Sequence, residues 1–408
     1  MFFSSSSSKN KKDQLNNLAI IVGTAGTHAL VYLDTGTGVT SSGEANGALN
    51  QPEVKDLIEL AHDPVPVVEE KSLLRSIRRD IQDIKKRTAG VRFDRAIIIL
   101  SSPWYFSQTR KITVERDEQF VIDKNLVGQL LEEEKNIFLN HASSQFSISE
   151  GDEPELLETA IMRALLNGYE TDSFMNKNAR QLQLSVYISM SMKKLVDELT
   201  SAIEDLFGVK KAVIHSSPYI LLKSARAVLE IGNAGAVIVD IGGEVTDIAV
   251  VRDGIIDETL SFGRGLHFIL RRIAGAFAIT PTEALSYLRA WSSDHISEKQ
   301  DPKLKEVVSD AVKEWQQMLY EAIAKSAELG LLPNRFVLVG DGAEFSIFSE
   351  AIESGEWKKF LYKIAPIKIE VLYPNSLRRY MQGDGRFFAG SPAVTQLFMS
   401  AFSPEYIL

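Results

Sequence analysis

Val237-Ile-Val-Asp-Ile-Gly-Gly-Glu-Val-Thr-Asp-Ile-Ala-Val-Val251 reads as two apolar runs joined by a short glycine turn, with a second turn, Arg252-Asp-Gly254, behind it. Ala236 to Asp240 and Asp247 to Val251 have the β-branched composition of buried strands, and Ile241 to Thr246 is the turn between them. Glycine has no Cβ, so backbone amides at Gly242 and Gly243 can approach phosphate oxygens, and a carboxylate at the strand end, Asp240, can hold a magnesium-bound water. The two glycines alone say little, because a plain tight hairpin has the same composition. More specific is their combination with Thr246-Asp247 opening a second apolar strand and with a third strand over Ile255 to Ser261.

Working outward, the same pattern occurs earlier: Leu18 to Val22 and Ala29 to Leu33 are apolar runs joined by Gly23-Thr-Ala-Gly-Thr27. The spacing of Leu73, Leu74, Ile77, Ile81 and Ile84 predicts a helix over 69–86, and Arg95 to Leu100 is a strand buried on both faces. Between Ser101 and Ser189 the texture changes, with strands over 111–115 and 182–189 and a helix over 123–138. Helical spacing returns over 191–206, stopped by Gly208, followed by a strand at 211–215 and a helix over 219–231. Further helices are predicted over 266–277, 282–291 and 303–329. Phe336 to Gly340 is a strand whose Gly340-Asp-Gly342 leads into a helix at 345–352; strand, glycine, helix is an arrangement that offers backbone amides to phosphate or nucleotide.

A chain of 408 residues splits into two or more domains, and 45% apolar with 24% charged residues is ordinary for a soluble protein. The net charge of -9 argues against a nucleic-acid partner, which needs a basic face. With no cysteine, disulfides, thiolate catalysis and cysteine-ligated zinc are excluded. Met1 to Asp13 pairs a serine run with lysines and reads as a disordered tail, not a signal peptide. Nothing approaches the roughly 20 apolar residues that span a bilayer. The six histidines lack metal-ligand spacing, Glu132 to Glu134 is a solvated face, and Arg271-Arg272 and Arg378-Arg379 are short ion-pairing pairs.

The stretch from Asp240 through Gly254, with Gly263 to Ile269 after it, resembles the second phosphate motif of the actin/Hsp70 ATPase superfamily, and most of all its form in the FtsA family of bacterial cell-division proteins. Val337 to Phe345 resembles the adenosine motif, and Ser391 to Phe402 the closing helix that returns to the first lobe. The segment with Lys111 to Glu115, Asp123 to Phe138, Ile161 to Tyr169 and Leu182 to Ser189 is similar to the subdomain inserted in FtsA. Periodicity alone makes Pro154 to Tyr169 a helix; the resemblance implies strand and turn for Ile161 to Tyr169.

The likeness implies an α/β fold: two actin-like (ribonuclease H-like) lobes with an FtsA-type insertion in the first. Its divisions are a tail over 1–17, a first lobe over 18–100, an SHS2-type subdomain over 101–190, a second lobe over 191–390, and the closing helix over 391–408. It implies ATP with magnesium, bound by Gly23, Thr24, Asp240, Gly242, Gly243, Thr246, Gly265, Arg289, Gly340 and Gly342, with Asp240 toward the metal. It further implies self-association, a tubulin-like division protein as partner, and a cytoplasmic place at the inner face of the membrane.

Several positions depart from that family. Its first hairpin carries Asp two residues before the glycine, where Ile21 stands, and an isoleucine can neither coordinate a cation nor accept a hydrogen bond. Asp341 replaces the second of two adjacent glycines, and Ser286 and Arg289 take the places of a Glu and a Lys that face the ribose. Very slow or absent ATP hydrolysis follows. The family's C-terminal membrane helix has no counterpart in Ser403 to Leu408, which leaves a partner, or Phe2, Phe3 and the lysines, as routes to a membrane. The PilM family of pilus-assembly proteins shares the insertion and binds a peptide from a membrane protein; it is the alternative. A sugar-kinase-like phosphotransferase is a third reading, and it requires a carboxylate base and a working magnesium site.

Overall fold

A computed structural model describes residues 16–33, 51–62, 64, 70–145, 153–221, 234–292, 301–328, 330–362 and 366–401. The tail over 1–15, most of the helix expected over 219–231, and the end of the chain past 401 lie outside these residues.

Two five-stranded sheets are built on one plan. In the first, β1 (Asn16–Val22) pairs antiparallel with β2 (Gly26–Leu33), and β2 with β3 (Glu53–Ala61). On the other side β1 runs parallel to β4 (Phe93–Leu100), and β4 parallel to β9 (Ala212–Ser216). The second sheet repeats this order with β10 (Ala236–Ile241), β11 (Thr246–Arg252) and β12 (Ile255–Phe262) antiparallel, then β13 (Arg335–Val339) and β14 (Lys368–Val371) parallel. The strands at the centre, β1 and β10, are buried on both faces, which is why their sequences are continuous apolar runs and do not alternate.

The duplication holds residue by residue at the hairpins. Ile21 pairs with His28 across the first, and Asp240 with Asp247 across the second. Both turns close with the same backbone bond, Gly23 N–H to Gly26 O at 2.9 Å and Gly242 N–H to Val245 O at 3.0 Å. Ile21 is therefore the counterpart of Asp240, and His28 that of Asp247.

Helices cover the sheets. Apolar stripes of α1 (Glu70–Arg87) and α3 (Lys193–Phe207) close one face of the first sheet around Ile77, Ile81, Leu199 and Ile203. On the second, α4 (Leu266–Phe277), α5 (Pro281–Ser292) and the 26-residue α6 (Pro302–Ala327) enclose a core that includes Trp315. Helix α6 starts where Asp301 accepts the Leu304 N–H at 2.9 Å, with Pro302 in its first turn, where a missing N–H costs nothing. After β13 come a short 3-10 turn, Asp341–Glu344, and α7 (Ser346–Glu353). The closing helix α8 (Thr395–Ser400) is shorter than expected, follows a 3-10 turn at Pro392–Val394, and packs on β1 and β2.

Residues 106–145 and 153–192 form a third, four-stranded sheet in the order β5-β8-β6-β7, with α2 (Lys124–Gln145) against it. Its strands are β5 (Phe106–Val121), β6 (Pro154–Leu166), β7 (Tyr169–Glu170) and β8 (Asn178–Met192). Residues 154–166 are thus strand, not the helix that periodicity suggests, because β8 pairs with them from Pro154 to Leu166. The turn falls at Asn167 and Gly168, both at positive φ.

The edge strand β5 also lies against β12, the edge of the second sheet. Thr259 donates its hydroxyl to Ser107 O (2.9 Å), Thr109 to Ile256 O (2.8 Å), and Lys111 pairs with Asp257 (2.7 Å). Covering an edge in this way hides backbone groups that would otherwise template another chain.

Candidate functional site

The structure brings the two glycine turns into direct contact. Thr24 Oγ1 accepts the backbone N–H of Glu244 at 3.0 Å, and a Cβ on Gly243 would stand 2.8 Å from Ala25 N and 2.9 Å from Thr24 Oγ1. Between the turns, bounded by Ile21, Gly23, Thr24, Asp240, Gly242, Gly340 and Gln396, a space of about 20 Å³ is left, room for about one water molecule and not for a phosphate group.

Helix α4 begins against the second turn. Its N-terminus has no side-chain cap; the carbonyls of Gly242 and Gly243 accept the N–H groups of Leu266 (2.9 Å) and His267 (2.8 Å). Free helix-terminal amides make an anion site, and here they are consumed by the turn. Gly265 permits the approach: a Cβ there would lie 2.3 Å from Gly242 O and 2.5 Å from Gly243 O.

Asp240 is buried, and its Oδ2 accepts from Ser217 Oγ (3.0 Å) and Gln396 Nε2 (2.8 Å). Burial, with the nearby Asp247 and Asp341 carboxyls, pushes it up to about 7 despite those two bonds. A Cβ on Gly340, which has φ of 87°, would meet Asp240 Oδ1 at 2.3 Å, so glycine is needed there on both counts. Asp247 accepts from Ser102 Oγ (2.8 Å) and Tyr105 OH (3.1 Å), and burial raises it too. Both carboxyls serve as bolts: Asp240 ties the second sheet to α8, and Asp247 ties it to the loop after β4.

Glu244 is held differently. Arg271 donates to both its oxygens, at 2.8 and 2.7 Å, and His267 Nδ1 lies 2.9 Å from Oε1. Burial works to raise this carboxyl, yet the bonds from Arg271 and His267 outweigh it and hold it near 2.

The remaining candidates divide. Gly23, Thr24, Asp240, Gly242, Gly243, Gly265 and Gly340 converge on the contact between turns. Gly342 packs beside Ile241, where a Cβ would lie 2.3 Å from Ile241 Cγ2. Thr246 faces the core, accepting from Trp315 Nε1 (3.0 Å) and donating to Arg264 O (2.7 Å). Arg289 stands at the rim of a larger cleft, with Nη2 3.7 Å from Glu344 Oε2, while Ser286 bonds back to Thr282 O on its own helix.

That cleft has a volume of about 850 Å³ and opens between the lobes beside the closed turns. Leu266, Leu270, Leu285 and Phe345 make its apolar wall, and His28, His62 and His267 from separate parts of the chain reach it. Isolated histidines in strand and helix patterns carry no sequence signal for this meeting; the pairing of His28 opposite Ile21 in the repeated hairpin is the only trace. His62 is fixed by Asp80 (2.6 Å) and Thr24 O (3.3 Å), so it supports the first turn from behind. Among the described residues no group of three or more His, Asp or Glu side chains could hold a metal ion.

The triphosphate and magnesium that the sequence resemblance implies do not fit these turns as they stand. The corridor is too small, the α4 amides are engaged, and Ile21 fills the place of a second carboxylate. The neighbouring cleft, at about 850 Å³, has space for a nucleoside-sized group.

No protein-family model and no curated protein matches the chain. Solved structures do. The protein of a PilM-PilN type IV pilus biogenesis complex superposes with a TM-score of 0.61 at 15% identity, covering 96% of this chain and 100% of that one. A MamK double helical filament gives 0.45 at 10% identity (95% and 98% covered), and the ethanolamine utilization protein EutJ from Carboxydothermus hydrogenoformans 0.42 at 16% (94% and 90%). The chain has the two-lobed α/β fold of the actin-like ATPases, with mixed sheets. Its end-to-end superposition on the PilM structure takes in the four-stranded subdomain as well as both lobes.

Proposed function

We propose that this chain is a PilM-like adaptor: an actin-fold protein that docks a peptide from a membrane protein of a pilus-type assembly and does not cycle Mg-ATP. The observation that carries this reading is the superposition on the PilM structure over 96% of the chain, four-stranded subdomain included. We read that subdomain as SHS2-type, and membrane association as indirect, through the partner. Among the described residues no helix is long and apolar enough to cross a membrane.

The FtsA reading, which the sequence motifs put first, shares the fold and differs in its partner and in self-association. Function resides in sites and not in folds, so the partner decides between the two. The sugar-kinase reading needs a magnesium site and a carboxylate base set toward a phosphate, and among the described residues no group of three or more His, Asp or Glu side chains could hold a metal ion.

The experiment is a peptide array tiled across the PilN-type membrane protein and the tubulin-like division protein of the source genome, probed with the full chain. Saturable binding to a PilN-type segment is the expected result. Binding to the division protein alone restores the FtsA reading, and binding to neither removes the adaptor role.

A further inference from the structure

The third sheet and the second lobe are held by the same two pieces of the first lobe. At the end of β9, Ser216 and Ser217 are consecutive and both fully buried. Ser216 holds the third sheet: its N–H and its hydroxyl each donate to Glu158 of β6 at 2.9 Å. Ser217 holds the second lobe, donating to Asp240 Oδ2 at 3.0 Å. The neighbouring strand β4, in register with β9 at Leu100 and Ser216, repeats the arrangement. In the loop after it, Trp104 O accepts the hydroxyl of Ser191 on β8 at 2.6 Å, while Ser102 and Tyr105 on either side donate to Asp247 at 2.8 and 3.1 Å.

These bonds form a dry network. Besides the two groups of Ser216, the buried Glu158 carboxylate takes the hydroxyl of Ser189, and His215 Nδ1 lies 3.0 Å from its Oε1. The Tyr187 hydroxyl on β8 is 2.9 Å from Ser216 Oγ. A bond lost here leaves a buried polar group with no water to replace its partner, so displacement of one member is passed to the next. A single peptide link separates Ser216 from Ser217, and Ser102, Trp104 and Tyr105 belong to one short loop.

We infer that the third sheet controls the contact between the lobes: its seats on the first lobe, Glu158 and Ser191, are coupled through the ends of β9 and β4 to Asp240 and Asp247, and so to the contact between the glycine turns. A ligand that shifts the third sheet then alters how firmly the turns are joined. This goes beyond the adaptor reading and stands on the hydrogen bonds alone, whatever the partner is.

The test is amide hydrogen exchange of the full chain, read at the Glu244 N–H, which bonds across the turns to Thr24 and belongs to neither path. Glu158→Gln and Ser191→Ala, each breaking one seat of the third sheet, raise the Glu244 exchange rate by about fivefold. Glu134→Gln removes an ion pair with Arg110 inside the same subdomain and leaves that rate within about twofold of the unmodified chain. In a Ser217→Ala background, where the β9 path is already cut, Glu158→Gln adds less than about twofold. Should Glu158→Gln fail to fold, Ser191→Ala, the loss of a single hydroxyl, decides alone against Glu134→Gln. An unchanged Glu244 rate in the seat variants, equal acceleration in Glu134→Gln, or full multiplication of the Ser217 and Glu158 effects overturns the inference.

Discussion

The hydroxyl of Thr24 accepts the backbone N–H of Glu244, which fastens the glycine turn of one lobe to the glycine turn of the other. Around that bond, Asp247 holds Ser102 and Tyr105 on one side, and Asp240 holds Ser217 and Gln396 on the other. Parts that the sequence presents as a phosphate cradle are used as a clasp.

Replacing Thr24 with valine keeps the shape and removes the acceptor. Stability falls by about 1 kcal/mol, and the Glu244 amide exchanges with solvent faster than in the unmodified chain. Unchanged exchange at Glu244 would show that the bond does not hold the turns together.

Gly265→Ala and Gly263→Ala make a matched pair. The first sets a methyl against two backbone carbonyls and costs about 1–3 kcal/mol, while the second meets nothing within 4 Å and stays within about 0.5 kcal/mol. Urea midpoints of the two variants read this difference. Equal midpoints contradict the close approach of α4 to the second turn.

Asp240 makes stability depend on pH. Its folded value near 7 is above its ordinary 3.8, so the folded state keeps a proton that the unfolded chain releases, and stability falls as pH rises between these values. The full loss is on the order of 4 kcal/mol. Asparagine can accept from Ser217 and Gln396 with its single oxygen and never ionises, so Asp240→Asn loses less stability than the unmodified chain between pH 5 and pH 8. Parallel pH profiles for the two proteins count against a buried, proton-retaining Asp240.

Glu244 acts in the opposite sense. Its folded value near 2 is below its ordinary 4.5, so its contribution is full above about pH 4.5 and is lost as the pH falls toward 2. A double-mutant cycle of Glu244→Gln with Arg271→Ala at pH 7 gives a coupling of about 1 kcal/mol, as a bidentate, partly buried pair warrants. A coupling of zero would mean that the pair is solvated and does not brace the turn.

Much of this arrangement is legible in the sequence because hairpins and buried strands leave local marks. Continuous apolar runs flanking Gly23 and Gly242 disclose β1, β2, β10 and β11, and their repetition discloses two lobes. The strand β3 leaves a weak mark because only Val54 and Ile58 are buried along it and Glu53, Lys55, Asp56 and Glu59 are interspersed with them, and β14 because it is four residues with none buried. Pro154 to Leu166 reads as helix until β8 is known to pair with it, since periodicity reports one segment and pairing needs two. At the site, glycine positions could be read and their use could not. Whether Thr24 faces a phosphate or the Glu244 amide depends on how closely the lobes approach, which nothing local encodes. The inward turn of Thr246 toward Trp315 is a tertiary fact of the same kind.

A calorimetric titration of Mg-ATP into the unmodified full chain tests the clasp most directly. With the turns fastened and Ile21 in place of a carboxylate, the account predicts no saturable heat at millimolar nucleotide. Tight, magnesium-dependent binding of ATP would contradict it, because a triphosphate could then enter only by parting Thr24 from Glu244.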